Sequence, residues 1–302
     1  MPNIRKSFLL FYILMCSFFI VVLNAYAGSL ITVKGSDTMV IVAQRWAEEY
    51  MKAHPNVTIQ VTGGGSGTGL AALINGTTDL ADASRPIKKK EINTALKKGH
   101  KPKEYKVAMD ALAVVVNKDN PVSSLSIRQL MGIYMGAINN WKELGGNDMP
   151  IMRYSRESNS GTYLFFKEHV LKNQDYASDC QHIAGTAAVA DAVAKDEKGI
   201  GYGGIAYFLE RPKIKILGIS RTEGEKAQDP INRSNNSNLS ICYKKIWNAE
   251  YPLARYLFIY TIREAAPIER YIEWILGKEG QEIVMELGYV PLNKEVVGLL
   301  SK

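Results

Sequence analysis

The chain is poor in the residues that most often carry chemistry. It has three cysteines and four histidines in 302 residues. His54, His100, His169 and His182 are scattered, and no pair has the spacing of metal ligands, so neither a metal nor a cofactor is expected. The glycine stretch Gly63–Gly69 lacks the Lys-[Ser/Thr] ending of a phosphate-binding P-loop. Around Ser66 and Ser160 the Gly-x-Ser-x-Gly frame of a hydrolase nucleophile is incomplete: Thr68 and Ser158 stand where glycine belongs. Lys88–Lys90 and Lys97–Lys103 are basic runs without interleaved aromatics. They read as solvated surface and not as a nucleic-acid face. The sequence shows no internal repeat and no low-complexity segment.

Residues 1–27 have the layout of a secretory signal peptide. Arg5 and Lys6 precede the apolar run Ser7–Leu23, and Ala25-Tyr26-Ala27 is a small-residue cleavage site before Gly28. Cys16 lies inside the apolar run without small residues before it, so lipidation is not expected. Cleavage leaves 35 basic against 30 acidic residues, a formal charge of +5 that favours an anionic ligand through steering. Cys180 and Cys242 remain. In an oxidising compartment they are read either as a disulfide or as two free thiols.

Strand and helix signals alternate along the mature chain, which predicts an α/β fold. Strands are expected at Ile31–Val33, Val57–Val61, Leu80–Ala83, Ile151–Tyr154, Ile200–Tyr202 and Ile214–Ile219. Helices are expected at Val40–His54, Leu70–Asn75, Lys89–Lys98, Ser126–Met135, Thr162–Leu171, Ala187–Lys195, Ile268–Leu276 and Glu279–Leu287, with Gly288 as a C-terminal cap. Ser234–Asn238 reads as a polar loop. Ala108–Asn117 reads as a strand buried on both faces, and Tyr256–Thr261 as a second apolar strand, rich in aromatics. These two are the candidate crossings between a lobe of residues 28–116 plus 256–302 and a lobe of residues 117–255.

Three Ser-x-Thr triplets lie at expected helix starts: Ser36-Asp37-Thr38, Ser66-Gly67-Thr68 and Ser160-Gly161-Thr162. A helix start offers unpaired N–H groups and a positive dipole end, which together suit an anion. Serine and threonine are also ordinary N-caps. Gly63-Gly64-Gly65 and Gly67 go beyond capping, because they allow close backbone approach. Arg156 precedes Ser160 by four residues and offers a guanidinium fork that fits tetrahedral oxyanions. Ser84 and Arg85 end the Leu80–Ala83 strand, where ligand pockets of α/β sheets open. Arg156 and Arg85 each have the alternative of an ordinary ion pair.

The segments Lys34–Thr38, Gly63–Gly69, Asp79–Pro86, Arg156–Thr162, Ile200–Tyr202, Tyr251–Arg255, Glu279–Gln281 and Gly288–Leu292 recur in this order and spacing in one family. Across nearly all of the mature chain the sequence resembles the substrate-binding proteins of bacterial phosphate ABC transporters. The resemblance implies a type II periplasmic binding protein, with two α/β lobes closing about a hinge of two strands. It implies phosphate contacts from Thr38, Ser66, Arg156, Ser160, Gly161 and Thr162, and from the backbone N–H of Met39; Ser36, Ser84 and Arg85 join the expected ligand-binding set on their own placement. It implies no catalytic residue, a membrane permease as partner, a monomer and a periplasmic location. Longer members carry aspartate where Ser84 stands. That carboxylate accepts the proton of phosphate and repels fully ionised sulfate. Here Asp37, Asp82 and Glu157 are the candidate acceptors. The alternatives are a carrier of another oxyanion such as sulfate, a secreted phosphoester hydrolase on the same pocket, and a signalling or adhesion role.

Overall fold

The Ala-Leu-Ala-Val-Val-Val run organises the molecule. The computed structural model describes residues 28–232 and 240–292. The first lobe is built from β1 (Ser29–Gly35), α1 (Val40–Ala53), β2 (Val57–Thr62), α2 (Ser66–Ile74), β3 (Leu80–Ala83) and α3 (Lys89–Lys97). Then β4 (Lys103–Asn117) runs for 15 residues and leads out of it. The second lobe holds β5 (Ser124–Ser126), α4 (Ile127–Tyr134), β6 (Met152–Arg156), α5 (Gly161–His169), β7 (Gln181–Ile183), α6 (Thr186–Lys195), β8 (Gly199–Gly204), β9 (Ile214–Ile216) and β10 (Gly218–Ser220). It also holds β11 (Ile231–Asn232), β12 (Ser240–Ile241) and α7 (Tyr243–Trp247). The chain returns along β13 (Ala254–Thr261) and ends in α8 (Ala266–Leu276) and α9 (Lys278–Glu286).

One curled sheet carries both lobes, in the order β2-β1-β3-β13-β4-β8-β6-β7, with β9 also on β4. On either side of the crossings the sheet is parallel, β2-β1-β3 in one lobe and β8-β6-β7 in the other, as βα units require, while the small β11–β12 pair is antiparallel. Among the described residues only β13 and β4, side by side and antiparallel, join the two parallel groups. Their register shifts between Leu257 and Phe258.

The apolar core divides on these same strands. Val107, Ala108, Leu257 and Ile259 pack with Trp46, Tyr50 and Tyr271. Met109, Leu112–Val116, Tyr251 and Leu253 pack with Trp141, Phe166 and Tyr202. Since β4 is buried from Val107 to Asn117, its side chains fill a core on either face, which is why the run does not alternate.

Most expected elements form where the pattern put them, with informative shifts. Helix α2 starts at Ser66, four residues before its apolar stretch, so Ser66-Gly67-Thr68 is its first turn. Strand β6 extends to Arg156, which places that guanidinium at a strand end. Ser126 is the N-cap of α4, not a helical residue. Its hydroxyl accepts from the Gln129 N–H at 3.1 Å. Its own N–H donates to the Gln129 side chain at 2.8 Å. Gly288 has a φ of 77°, the left-handed value of a helix C-terminal cap. Ile214–Ile219 is two short strands broken at Leu217. The short elements β7, β11, β12 and α7 carry too little periodicity to be anticipated. Residues 1–27 and the loop at 234–238 lie outside the described residues. Among the described residues Cys180 and Cys242 are both free thiols, and no helix is long and apolar enough to cross a membrane.

Asp82 is an unusual core residue. Strand alternation turns it to the face of Leu80, which packs in the core with Tyr271 and Tyr289. Its Oδ1 is buried and, among the described residues, has no hydrogen-bond partner. Burial pushes its carboxyl up to about 8. The folded state therefore holds a proton that the unfolded chain releases near its ordinary value of about 4. Stability from this group is complete below that value and falls as pH climbs to about 8. Asp82→Asn is expected to flatten the decline of Tm between pH 5 and 8, measured by thermal melts. An unchanged slope would show that Asp82 does not set it.

Candidate functional site

The three Ser-x-Thr segments converge. Thr38 lies on the β1–α1 connection, Ser66 begins α2, Ser84 follows β3, and Thr162 sits in the first turn of α5. The Thr38 and Thr162 hydroxyls are 2.9 Å apart. Ser84 Oγ lies 3.4 Å from Ser66 Oγ and 3.5 Å from Thr162 Oγ1. The Ser84 N–H also donates to Ser66 Oγ at 3.0 Å. All four residues are buried.

Gly161 fills the middle of this cluster. A Cβ there would come within 2.7 Å of the Ser84 hydroxyl and closer still to that of Ser66. Asn159 stitches the same two segments together. Its carbonyl accepts from the Gly67 N–H at 2.9 Å, and its amide donates to the Gly64 carbonyl and the Thr68 hydroxyl. Gly64 and Gly65 adopt φ values of 107° and 87°, which other residues rarely tolerate.

Other expected site residues serve the frame. Ser160 is the N-cap of α5 and accepts from the Thr162 and Tyr163 N–H groups. The Met39 N–H closes a turn onto the Ser36 carbonyl at 2.9 Å, and its side chain is core. Ser36 is buried and donates its N–H to the Asp82 carbonyl.

Arg85 is not brought into the cluster. Its guanidinium makes a bidentate pair with Glu91 at 2.8 and 2.7 Å and donates to the Pro86 carbonyl. The physical reason is local: Glu91, at the N-terminal turn of α3, also accepts from the Lys88 N–H and holds the fork there. Asp82 faces the core, as described, so of the three candidate acceptors Asp37 and Glu157 remain.

Both flank Arg156. Its Nη2 donates to Asp37 Oδ2 at 2.6 Å, its Nη1 to the Thr186 hydroxyl at 2.8 Å, and its Nε to Glu157 at 3.2 Å. Asp37 is itself fixed by the Gly64 N–H at 2.7 Å, while Tyr207 donates to its carbonyl.

A second guanidinium lies beneath the hydroxyls. Arg255 at the start of β13 donates through Nε and Nη2 to Asp110 Oδ2 at 2.9 and 2.7 Å. It also reaches the Ser84 carbonyl at 3.2 Å and the Thr162 hydroxyl at 3.1 Å. Asp110 is fully buried on β4, and its other oxygen accepts from the Ile205 N–H. Burial drives its carboxyl above the usual range, and the Arg255 charge with the Ile205 N–H pulls the other way. Sequence reasoning misses Arg255, Asp110 and Thr186. The signal available is Asp110 itself, a lone carboxylate inside an apolar run, which has to find a counterion.

A cluster of buried hydroxyls on Arg255, with Arg156 held by Asp37 beside Thr38, on a two-lobed sheet narrows the comparison with known proteins. The model of the PBP superfamily domain matches residues 24–279. The phosphate-binding protein PstS of Pseudomonas aeruginosa is 34% identical over 291 residues, covering 90% of this chain and 86% of that one. The chain belongs to the PstS family of the PBP superfamily.

Solved structures agree with that membership. A candidate phosphate ABC transporter substrate-binding protein of Clostridium perfringens, with phosphate bound, has a TM-score of 0.76 at 28% identity. The match covers 88% of this chain and all of that one. An ABC-type phosphate transport receptor of Vibrio cholerae has a TM-score of 0.66 at 27% identity, with 86% and 99% covered. In this PstS-family chain Thr38, Ser66 and Ser84 come from one lobe, and Arg156, Gly161 and Thr162 from the other. Arg255 sits on the strand that joins them.

Proposed function

We propose that this chain captures inorganic phosphate between its two lobes and delivers it to an ABC-type membrane permease. The observation that carries the reading is the convergence of the Thr38, Ser66, Ser84 and Thr162 hydroxyls around the start of α5, with Arg255 on them and Arg156 held by Asp37 beside Thr38. Hydroxyls can turn their protons toward an anion, and a guanidinium adds charge-assisted hydrogen bonds. Phosphate near neutral pH also keeps a proton and needs an acceptor. Ser84 can accept as well as donate, and the carboxylates of Asp37 and Glu157 stand beside Arg156 for the same purpose. Sulfate has no proton to offer these acids and would be repelled.

On this reading the ligand is bound by Thr38, Ser66, Ser84, Arg156, Gly161 and Thr162, with Ser36, Met39 and Ser160 shaping the loops around them. The lobes close by a hinge on β4 and β13. The handover of the core supports a boundary near Ala108 and Met109 on the first crossing and near Leu257 on the second. The protein acts without a cofactor or metal, as a monomer, and performs no covalent chemistry. It is exported to the periplasm by cleavage of residues 1–27, and N-terminal sequencing of the exported protein should begin at Gly28.

The deciding experiment is calorimetric titration of the ligand-stripped protein with phosphate and then with sulfate. One-to-one phosphate binding without sulfate heat is the expected result. Preference for sulfate would overturn the ligand, and turnover of a generic phosphate ester would overturn the carrier.

Gly161→Ala gives a sharper test of the geometry. Its methyl group would enter the space of the Ser66 and Ser84 hydroxyls on the opposite lobe and wedge the lobes apart. Overpacking of this kind costs about 1–3 kcal/mol. The loss should appear in phosphate affinity while the fold persists, because each lobe keeps its own core. Wild-type affinity in this variant would mean that the lobes do not close on Gly161.

A further inference from the structure

Residues 88–101 carry six lysines, Lys88, Lys89, Lys90, Lys97, Lys98 and Lys101, against one carboxylate, Glu91. Their net +5 is most of the +7 of the whole chain. Glu91 does not offset them, because its carboxylate is occupied by Arg85 and the Lys88 N–H. All six lysines are exposed, and none forms an ion pair among the described residues, whereas Lys52, Lys142, Lys167 and Lys278 elsewhere do. Leu96 lies among them at 52% exposure. The spacing of Lys89, Asn93, Leu96 and Lys97 puts them on one face of α3, with Ala95 turned inward. A half-exposed leucine thus shares a face of α3 with Lys89 and Lys97.

We propose that α3 and the turn after it form a docking face for an anionic phospholipid surface. Leu96 enters the headgroup layer while the surrounding lysines sit against the lipid phosphodiesters. A lysine-rich exposed helix that also shows an apolar side chain suits an anionic membrane surface, and each basic group near that surface adds to the attraction. The inference rests on the carrier reading only in that a protein serving a membrane permease meets such a surface. Docking would hold the carrier close to its permease.

The test is co-sedimentation of the exported protein with vesicles of phosphatidylcholine alone and of phosphatidylcholine mixed with phosphatidylglycerol. Binding is expected only to the phosphatidylglycerol vesicles and should be lost at high salt. A variant with Lys89→Gln, Lys90→Gln, Lys97→Gln and Lys98→Gln should bind these vesicles roughly a hundredfold more weakly or worse. Leu96→Ser should weaken binding severalfold at low salt. Phosphate titration of both variants, expected to match wild type, shows that they are folded. The proposal is overturned by absence of binding, by equal binding to neutral vesicles, or by binding that survives removal of the lysines. Binding to heparin or RNA under conditions where vesicles are ignored overturns it too. Vesicle binding by a wild-type protein that takes up no phosphate would sink the carrier reading and leave this one standing.

Discussion

Arg255→Leu is expected to destabilise the folded protein by about 3–5 kcal/mol, the cost of leaving one member of a buried ion pair behind. Asp110 is wholly enclosed on β4, and Arg255 supplies two of its hydrogen bonds. The pH dependence identifies the cause. Burial already raises the Asp110 carboxyl, opposed by the guanidinium and the Ile205 N–H. Without the guanidinium the rise is larger, so the folded variant holds a proton that the unfolded chain gives up. A raised folded value means stability that is full at low pH and lost as pH rises. The deficit against wild type should therefore be small in acid and grow toward neutrality, which thermal melts across pH 4 to 8 would record. Asp110→Asn combined with Arg255→Leu should recover part of the loss, since no charge then stays unpaired. A deficit that is constant with pH and not relieved by the second substitution would show that the ion pair is not its source. Phosphate affinity should fall as well, because Arg255 holds the Ser84 carbonyl of one lobe and the Thr162 hydroxyl of the other.

That pair also marks where the sequence stops being legible. The alternation of strands and helices, the two crossings and the hydroxyl segments can be read because they are local patterns: period, capping residues, glycines. Ser66-Gly67-Thr68 and Ser160-Gly161-Thr162 announce helix starts wherever they occur, and both are found there. What a side chain does at a distance is not written locally. Arg85 and Arg156 look alike in sequence, each near a hydroxyl at a strand end. Glu91, six residues ahead on α3, claims the first. Asp37, 119 residues away in the chain, meets the second. Arg255 stands in the Tyr251–Arg255 segment without a visible role, because its partner lies 145 residues earlier on β4. The solvent-facing leucine of α3 is hidden for the same reason. A leucine in a short polar helix reads as the one that packs, whereas here Ala95 turns inward and Leu96 outward.

Arg156→Ala is the larger test of the binding site. Removing one partner of a buried charge contact costs about 2–5 kcal/mol, a loss of phosphate affinity between roughly 30-fold and several thousandfold. Two effects add. The anion loses its charge-assisted donors, and Asp37 and Glu157 lose the cation that neutralises them. Those carboxylates then repel the ligand they should help to orient. Their side chains are 17% and 26% exposed. Water therefore relieves much of their loss, and the fold should suffer less than the affinity. Arg156→Lys should fall between wild type and alanine, since lysine keeps the charge but not the fork. Asp37→Asn added to Arg156→Ala separates the two effects. If repulsion by the stranded carboxylate is a large share, the double variant binds phosphate more tightly than Arg156→Ala alone. If direct donation dominates, it binds no better. Calorimetry on variants with wild-type circular dichroism reads both. A folded Arg156→Ala protein with undiminished phosphate affinity would remove Arg156 from the site and leave Arg255 as the guanidinium that faces the anion.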